Sequence, residues 1–142
     1  MSLLDKSVQN FEIAQIAAEK KYFDVAVSRL YYSSYQKIIY YKNDKMVDGN
    51  SQFEMYKQEH ENDTETEKYG SHDWNIAFFE EKNKTLGLDG YESIISFLKD
   101  MKISRNTADY KKNRVCIESD EYKKFEKKTK LINAMINKII GD

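Results

Sequence analysis

Proline is absent from the 142 residues and glycine occurs only five times. The commonest helix breaker is therefore missing, and collagen-like, proline-rich and mucin-like classes are excluded. A single cysteine, Cys116, rules out an intramolecular disulfide framework and any cysteine-cluster zinc site, and makes a reducing cytoplasm the expected setting. No apolar run reaches the roughly 18 residues that a membrane-spanning helix needs, and no membrane association is expected. Asp5 and Lys6 fall where a secretory signal needs unbroken apolar residues. The sequence holds no phosphate-binding glycine loop, no G-x-S-x-G nucleophile turn and no H-E-x-x-H metal pair. No metal or cofactor is expected. Arginine is also scarce: only Arg29, Arg105 and Arg114 among 23 basic residues. A solvated surface charge is served as well by lysine, whereas a bidentate contact is not, so each arginine is a candidate for a specific role.

Hydrophobic residues make up 40% of the chain, enough for one core, and eleven tyrosines stand among them. The length suits one domain over 1–142. The formal charge of −1 conceals a strong asymmetry. Residues 43–90 carry twelve acidic side chains and five lysines, a net −7, so the rest of the chain is at +6. The stretch QEHENDTETEKYGS within it has almost no apolar residues. It reads as a long mobile loop, part of an acidic insertion at about 43–70.

Helical periodicity dominates elsewhere. Roughly residues 2–20 place Leu4, Val8, Phe11, Gln15 and Ala18 on one stripe, widened by Ile13, Ile16 and Ala17. Residues 22–42 are apolar over much of the helix circumference, with Phe23, Val27, Leu30, Ser34, Ile38 and Tyr41 in register, as befits a central helix. A short helix is expected around 52–57, and another after Ser71, a candidate N-cap. Asp89 and Glu92 resemble a capping box opening a helix with Tyr91, Ile94, Leu98, Met101, Arg105 and Ala108 on one stripe. After a connector, Ser119, Asp120 and Glu121 open a last helix, where acidic residues suit the dipole. Its apolar side is Tyr122, Phe125, Ile132, Met135, Ile136 and Ile139, and Gly141 ends it. The expectation is an all-α antiparallel bundle of four or five helices.

Arg105 interrupts an otherwise apolar stripe. A buried arginine must be paired or face a cleft. Asp109, four residues on, could neutralise it within the helix; otherwise Arg105 is placed to contact a phosphate. Arg29 lies beside Ser28, Ser33 and Ser34, small residues that admit a neighbouring helix or a ligand. It too reads either as an anion contact or as one half of a core ion pair. Tyr31, Tyr32 and Tyr35 are core or dimer-interface residues on one reading and stacking platforms for bases on the other. Of two histidines, His60 sits in the acidic stretch. His72 opens a helix, where it either caps and faces solvent or titrates near neutrality.

The segment Ala26, Arg29, Tyr31, Tyr32 and Tyr35, following an amphipathic helix and a short turn, has the form A-x-x-R-x-Y-Y-x-x-Y. With GSHDW at the start of a later helix, RNTADY at 105–110, and the final helix, it resembles the HEPN-domain family over nearly the whole chain except about 43–70. The resemblance implies a small helical bundle that dimerises. Many of its members are ribonucleases of toxin–antitoxin, phage-defence and CRISPR systems. In these an arginine, often with a polar neighbour, precedes a histidine by four to six residues. Arg105 and Asn106 match the arginine and its neighbour. The histidine position holds Tyr110, or Lys111 or Lys112 at the longer spacings. A phenol with a pKa near 10 is a poor general acid or base at neutral pH. The expectation that follows is a homodimeric module binding RNA, a nucleotide or an antitoxin-type protein partner without efficient catalysis. A site of Arg105 and Tyr110, with Arg29, Asn106, Asp109, His72 and Tyr32, would serve it. A metal-independent ribonuclease built on the same residues and a purely structural dimer are the alternatives.

Overall fold

The computed structural model describes residues 2–86, 92, 94–101 and 119–141. Helix α1 (Leu3–Glu19) and α2 (Phe23–Tyr40) are followed by a π-turn (Tyr41–Lys45), α3 (Gly49–His60), a 3-10 turn (Thr64–Thr66), α4 (Ser71–Leu86), helix α5 over 94–101, and α6 (Ser119–Ile140). The fold is an all-α bundle, and among the described residues no strand occurs.

Helix α1 begins on a capping box. The Asp5 N–H donates to Ser2 Oγ and the Ser2 N–H donates to Asp5 Oδ2, each at 3.1 Å. The Ser2 backbone N–H and then its hydroxyl hold the Asp5 carboxyl below the usual carboxylate value. Leu4, Phe11 and Ala18 of the expected stripe pack against the core, but the buried line lies beside them. It is Ser7, Asn10, Ala14 and Ala17, while Val8, Ile13 and Ile16 remain exposed. Small side chains let the α2 backbone come close. Ser7 Oγ donates to the Ser33 carbonyl at 2.6 Å and Ser33 Oγ donates to the Ser7 carbonyl at 2.9 Å. These reciprocal bonds lock the antiparallel hairpin, and close approach rather than apolar bulk decides which face of α1 turns inward.

Helix α2 is central, as its pattern predicts, with Val27, Leu30, Ser34, Ile38 and Tyr41 buried. Its partner along the other side is α6, which runs parallel to it. Phe23 packs against Tyr122 at 5.7 Å between ring centroids. Further along, Ser34 Oγ donates to Asn133 Oδ1 at 2.8 Å and Lys37 Nζ donates to Asn137 Oδ1 at 2.8 Å. Tyr122, Ile132, Ile136 and Ile140 of α6 enter the core, where Ile94, Leu98 and Met101 of α5 join them.

The acidic insertion is helical in part, and residues 61–70 are turns. Helix α3 extends from Gly49 to His60 and is held to α4 by an aromatic seam: Phe53 on Phe78, Tyr56 on Trp74, and Tyr69 on Trp74. Thr66 Oγ1 ties the 3-10 turn back to the His60 carbonyl. Five aromatic residues scattered through a charged sequence thus supply the anchors that mean composition conceals. At the start of α4, Ser71 is already helical. The capping contact comes from Asp73, whose Oδ2 accepts from the Gly70 N–H at 3.2 Å.

Candidate functional site

The A-x-x-R-x-Y-Y-x-x-Y segment lies on α2 and His72 lies in the first turn of α4, and the two meet. Tyr31 and Tyr35, one helical turn apart, present their rings to the same neighbour. The His72 imidazole stacks on Tyr35 with centroids 4.2 Å apart and an interplanar angle of 19°. It lies nearly parallel to Tyr31 at 5.7 Å. The Tyr31 hydroxyl and His72 Nδ1 are 2.9 Å apart, a hydrogen bond whose donor follows the histidine tautomer. Tyr32 closes the group edge-on, 5.7 Å from His72 at 86°. Tyr31 is fully buried and His72 and Tyr32 are half-buried, so the cluster reaches from the core to the surface.

A polar chain continues from it. The Tyr35 hydroxyl accepts from Asn75 Nδ2 at 3.2 Å, and Asn75 Oδ1 accepts from Lys42 Nζ at 2.8 Å. Asn75 is also fixed by donation to the Ser71 carbonyl at 2.9 Å. Burial pushes the Tyr35 phenol above its ordinary value, keeping it protonated at neutral pH. Burial likewise lowers the Lys42 ammonium, with Glu54 opposing the shift. Lys42 stands over the Phe53 ring, 4.2 Å from its centroid, and sits in the π-turn that ends α2. Such turns recur where a helix is adjusted to place a side chain.

Chemically, the cluster holds an imidazole in a fixed plane between phenols, beside an amide and an ammonium. It offers flat π surface and hydrogen-bonding edges. Among the described residues, no three His, Cys, Asp or Glu side chains come together as metal ligands do. Arg29 is exposed on α2, three residues before Tyr32 on the outward side of the helix. Its Nη1 donates to Asn10 Oδ1 at 3.3 Å. It is therefore not one half of a core ion pair: Val27, Leu30 and Ser34 take the inward positions, and Arg29 falls opposite them. His72 is not the solvated surface residue that one reading of its position allows. Arg105, Asn106, Asp109 and Tyr110 lie outside the described residues, as do Asp89 and Cys116.

Sequence reasoning named His72 and Tyr32 but missed Asn75 and Lys42. Asn75 is one helical turn past His72, so it shares a face with it. That spacing was the available signal. Nothing local marks Lys42, which is brought in by the π-turn.

Searches of protein-family models, of curated proteins and of solved structures each find no match for this chain.

Proposed function

We propose that the chain is a HEPN-like helical module that binds RNA or a nucleotide, as a homodimer in a toxin–antitoxin or phage-defence setting, without efficient catalysis. The observation that carries this reading is the meeting of two motifs that lie some forty residues apart in sequence. The tyrosine-rich segment of α2 and the S-H pair of α4 form one stacked cluster, with Tyr35 and His72 at 4.2 Å. The resemblance rests on these same motifs. Their convergence supports treating them as one unit rather than as two chance matches. Tyr32 supplies a half-buried aromatic ring at the cluster's edge, and Arg29, exposed three residues earlier on α2 with its guanidinium held by Asn10 of α1, supplies a cation on the same helix. These are the two groups that a phosphate and a base require. The departure from the ribonuclease pattern at Tyr110 supports binding over cleavage.

The test is a fluorescence-anisotropy titration of a labelled single-stranded RNA, with ATP as a competing probe. The wild-type chain is expected to bind, and Tyr32→Ala to weaken binding by roughly tenfold through loss of about 1–3 kcal/mol of stacking. Absence of binding to both probes at tens of micromolar protein would overturn the reading.

A further inference from the structure

We propose that the outward face of α6 is a docking surface for the phosphate backbone of a nucleic-acid strand. The proposal deepens the RNA-binding reading above and rests on it. Six lysines, Lys123, Lys124, Lys127, Lys128, Lys130 and Lys138, are exposed along this helix, Lys128 with its Nζ over the Phe97 ring. Lys123, Lys124 and Lys127 make no ion pair among the described residues, and Lys130 has only a 3.7 Å contact with Glu126. Glu126 itself is drawn to the α1 side, where its Oε1 accepts from Gln15 Nε2 at 3.2 Å. Asp120 and Glu121 belong to the first turn, where they answer the helix dipole.

The geometry favours a linear polyanion. At about 1.5 Å per residue, the stretch from Lys123 to Lys138 extends about 22 Å. At the duplex spacing of about 3.4 Å per phosphate the ridge would face about six phosphates, and a more extended single strand presents fewer over the same length. A lipid surface fits less well. A helix lying in a membrane interface must turn an apolar face outward, whereas Tyr122, Ile132, Ile136 and Ile140 are committed to the core. Leu131 is the one large apolar side chain left well exposed on α6. The charge layout also restricts how a polyanion can approach. The net −7 of residues 43–90 is carried largely by the α3–α4 hairpin, which hangs from the far end of α2. The lysine-dense half of α6 lies beside the start of α2, where Tyr122 meets Phe23. The molecule is thus polarised, and an electrostatically steered strand arrives at one end.

The experiment titrates labelled single-stranded RNA at several salt concentrations with the wild-type chain and with a Lys123→Gln, Lys124→Gln, Lys127→Gln, Lys130→Gln variant. Glutamine keeps a helix propensity close to that of lysine, and circular dichroism confirms the fold. A second set with alanine at the same four positions guards against a misfolded variant. Both variants are expected to lose at least about tenfold in affinity. The slope of log K against log salt is expected to flatten by about 3, four contacts at about 0.7 each. Unchanged affinity and slope, with wild-type binding intact, would overturn the ridge and leave the binding reading standing. Failure of the wild-type chain to bind would overturn both. An unchanged RNA affinity with a lower mass in light scattering would assign the ridge to contacts between copies of the chain, and overturn it too. Stronger wild-type binding to phosphatidylserine vesicles than to RNA, lost in the variants, would likewise contradict it.

Discussion

Tyr122 shows how a single buried group sets an expectation. Its ring packs on Phe23 in the core, while its hydroxyl is buried beside the Glu126 carboxylate without a well-formed hydrogen bond among the described residues. Burial, and then the neighbouring Glu126 carboxylate, push the phenol up to about 12. The folded value is raised above the unfolded value near 10. Below pH 10 both states are protonated and nothing is lost. Between pH 10 and 12 the unfolded chain releases a proton that the folded chain retains, so stability falls as pH rises through that window. Tyr122→Phe is therefore expected to match or slightly exceed the wild-type Tm at pH 7, because a buried hydroxyl without a well-formed hydrogen bond carries a desolvation cost. It is also expected to flatten the alkaline decline. A drop of several degrees at pH 7 in thermal denaturation would contradict this. At the residue scale, legibility was uneven. Val27, Leu30, Ile38 and Ile136 were readable as core from period alone. Arg29 was not readable as exposed, because scarcity of arginine says nothing about which way the helix turns. Lys42 and Asn75 were invisible, because their neighbours come from other elements.

Elements were placed more accurately than their ends and faces. Helices α1, α2, α4 and α6 follow from apolar period, capping residues and the absence of proline. The face of α1 is legible only in part, through Leu4, Phe11, Ala17 and Ala18 but not Ser7, Asn10 and Ala14, because the pattern weighs hydrophobicity. Contact with α2 is decided by how closely Ser7, Ala14 and Ala17 let the backbones approach. Helix α3 was underestimated because its anchors, Phe53 and Tyr56, are few and surrounded by charge. Its start depends on a backbone device. Asp48 is left-handed at φ 53°, and Gly49 packs on the Lys42 carbonyl, where a Cβ would collide with the oxygen. Since that carbonyl belongs to the π-turn holding Lys42 in the polar chain, the hairpin and the candidate site share one hinge. Gly49→Ala is expected to destabilise the fold by about 1–3 kcal/mol through overpacking and to lower the denaturant midpoint. A midpoint equal to that of the wild-type chain would contradict the close packing.

For the whole molecule, the sequence conveyed class and polarity, and the structure adds where the polarity lies. The acidic half is an aromatic-stitched hairpin, and much of the lysine excess lies on the helix packed against the opposite end of α2. Neither fact can be read from a net charge of −1. Val8, Ile13, Ile16, Tyr22 and Val25 leave large apolar side chains exposed on the α1–α2 hairpin. An interface between copies of the chain would cover these side chains, so light scattering at tens of micromolar is expected to give the mass of a dimer. A mass near 16.8 kDa would contradict this. The central claim is that the chain binds nucleic acid without efficiently cleaving it. It is tested most directly by incubating end-labelled single-stranded RNA with saturating wild-type protein, with and without divalent cations, and resolving one portion on a native gel and one on a denaturing gel. A retarded band on the native gel and a strand of full length on the denaturing gel are expected. Loss of the full-length strand, or a strand that migrates unretarded beside the protein, would contradict the account.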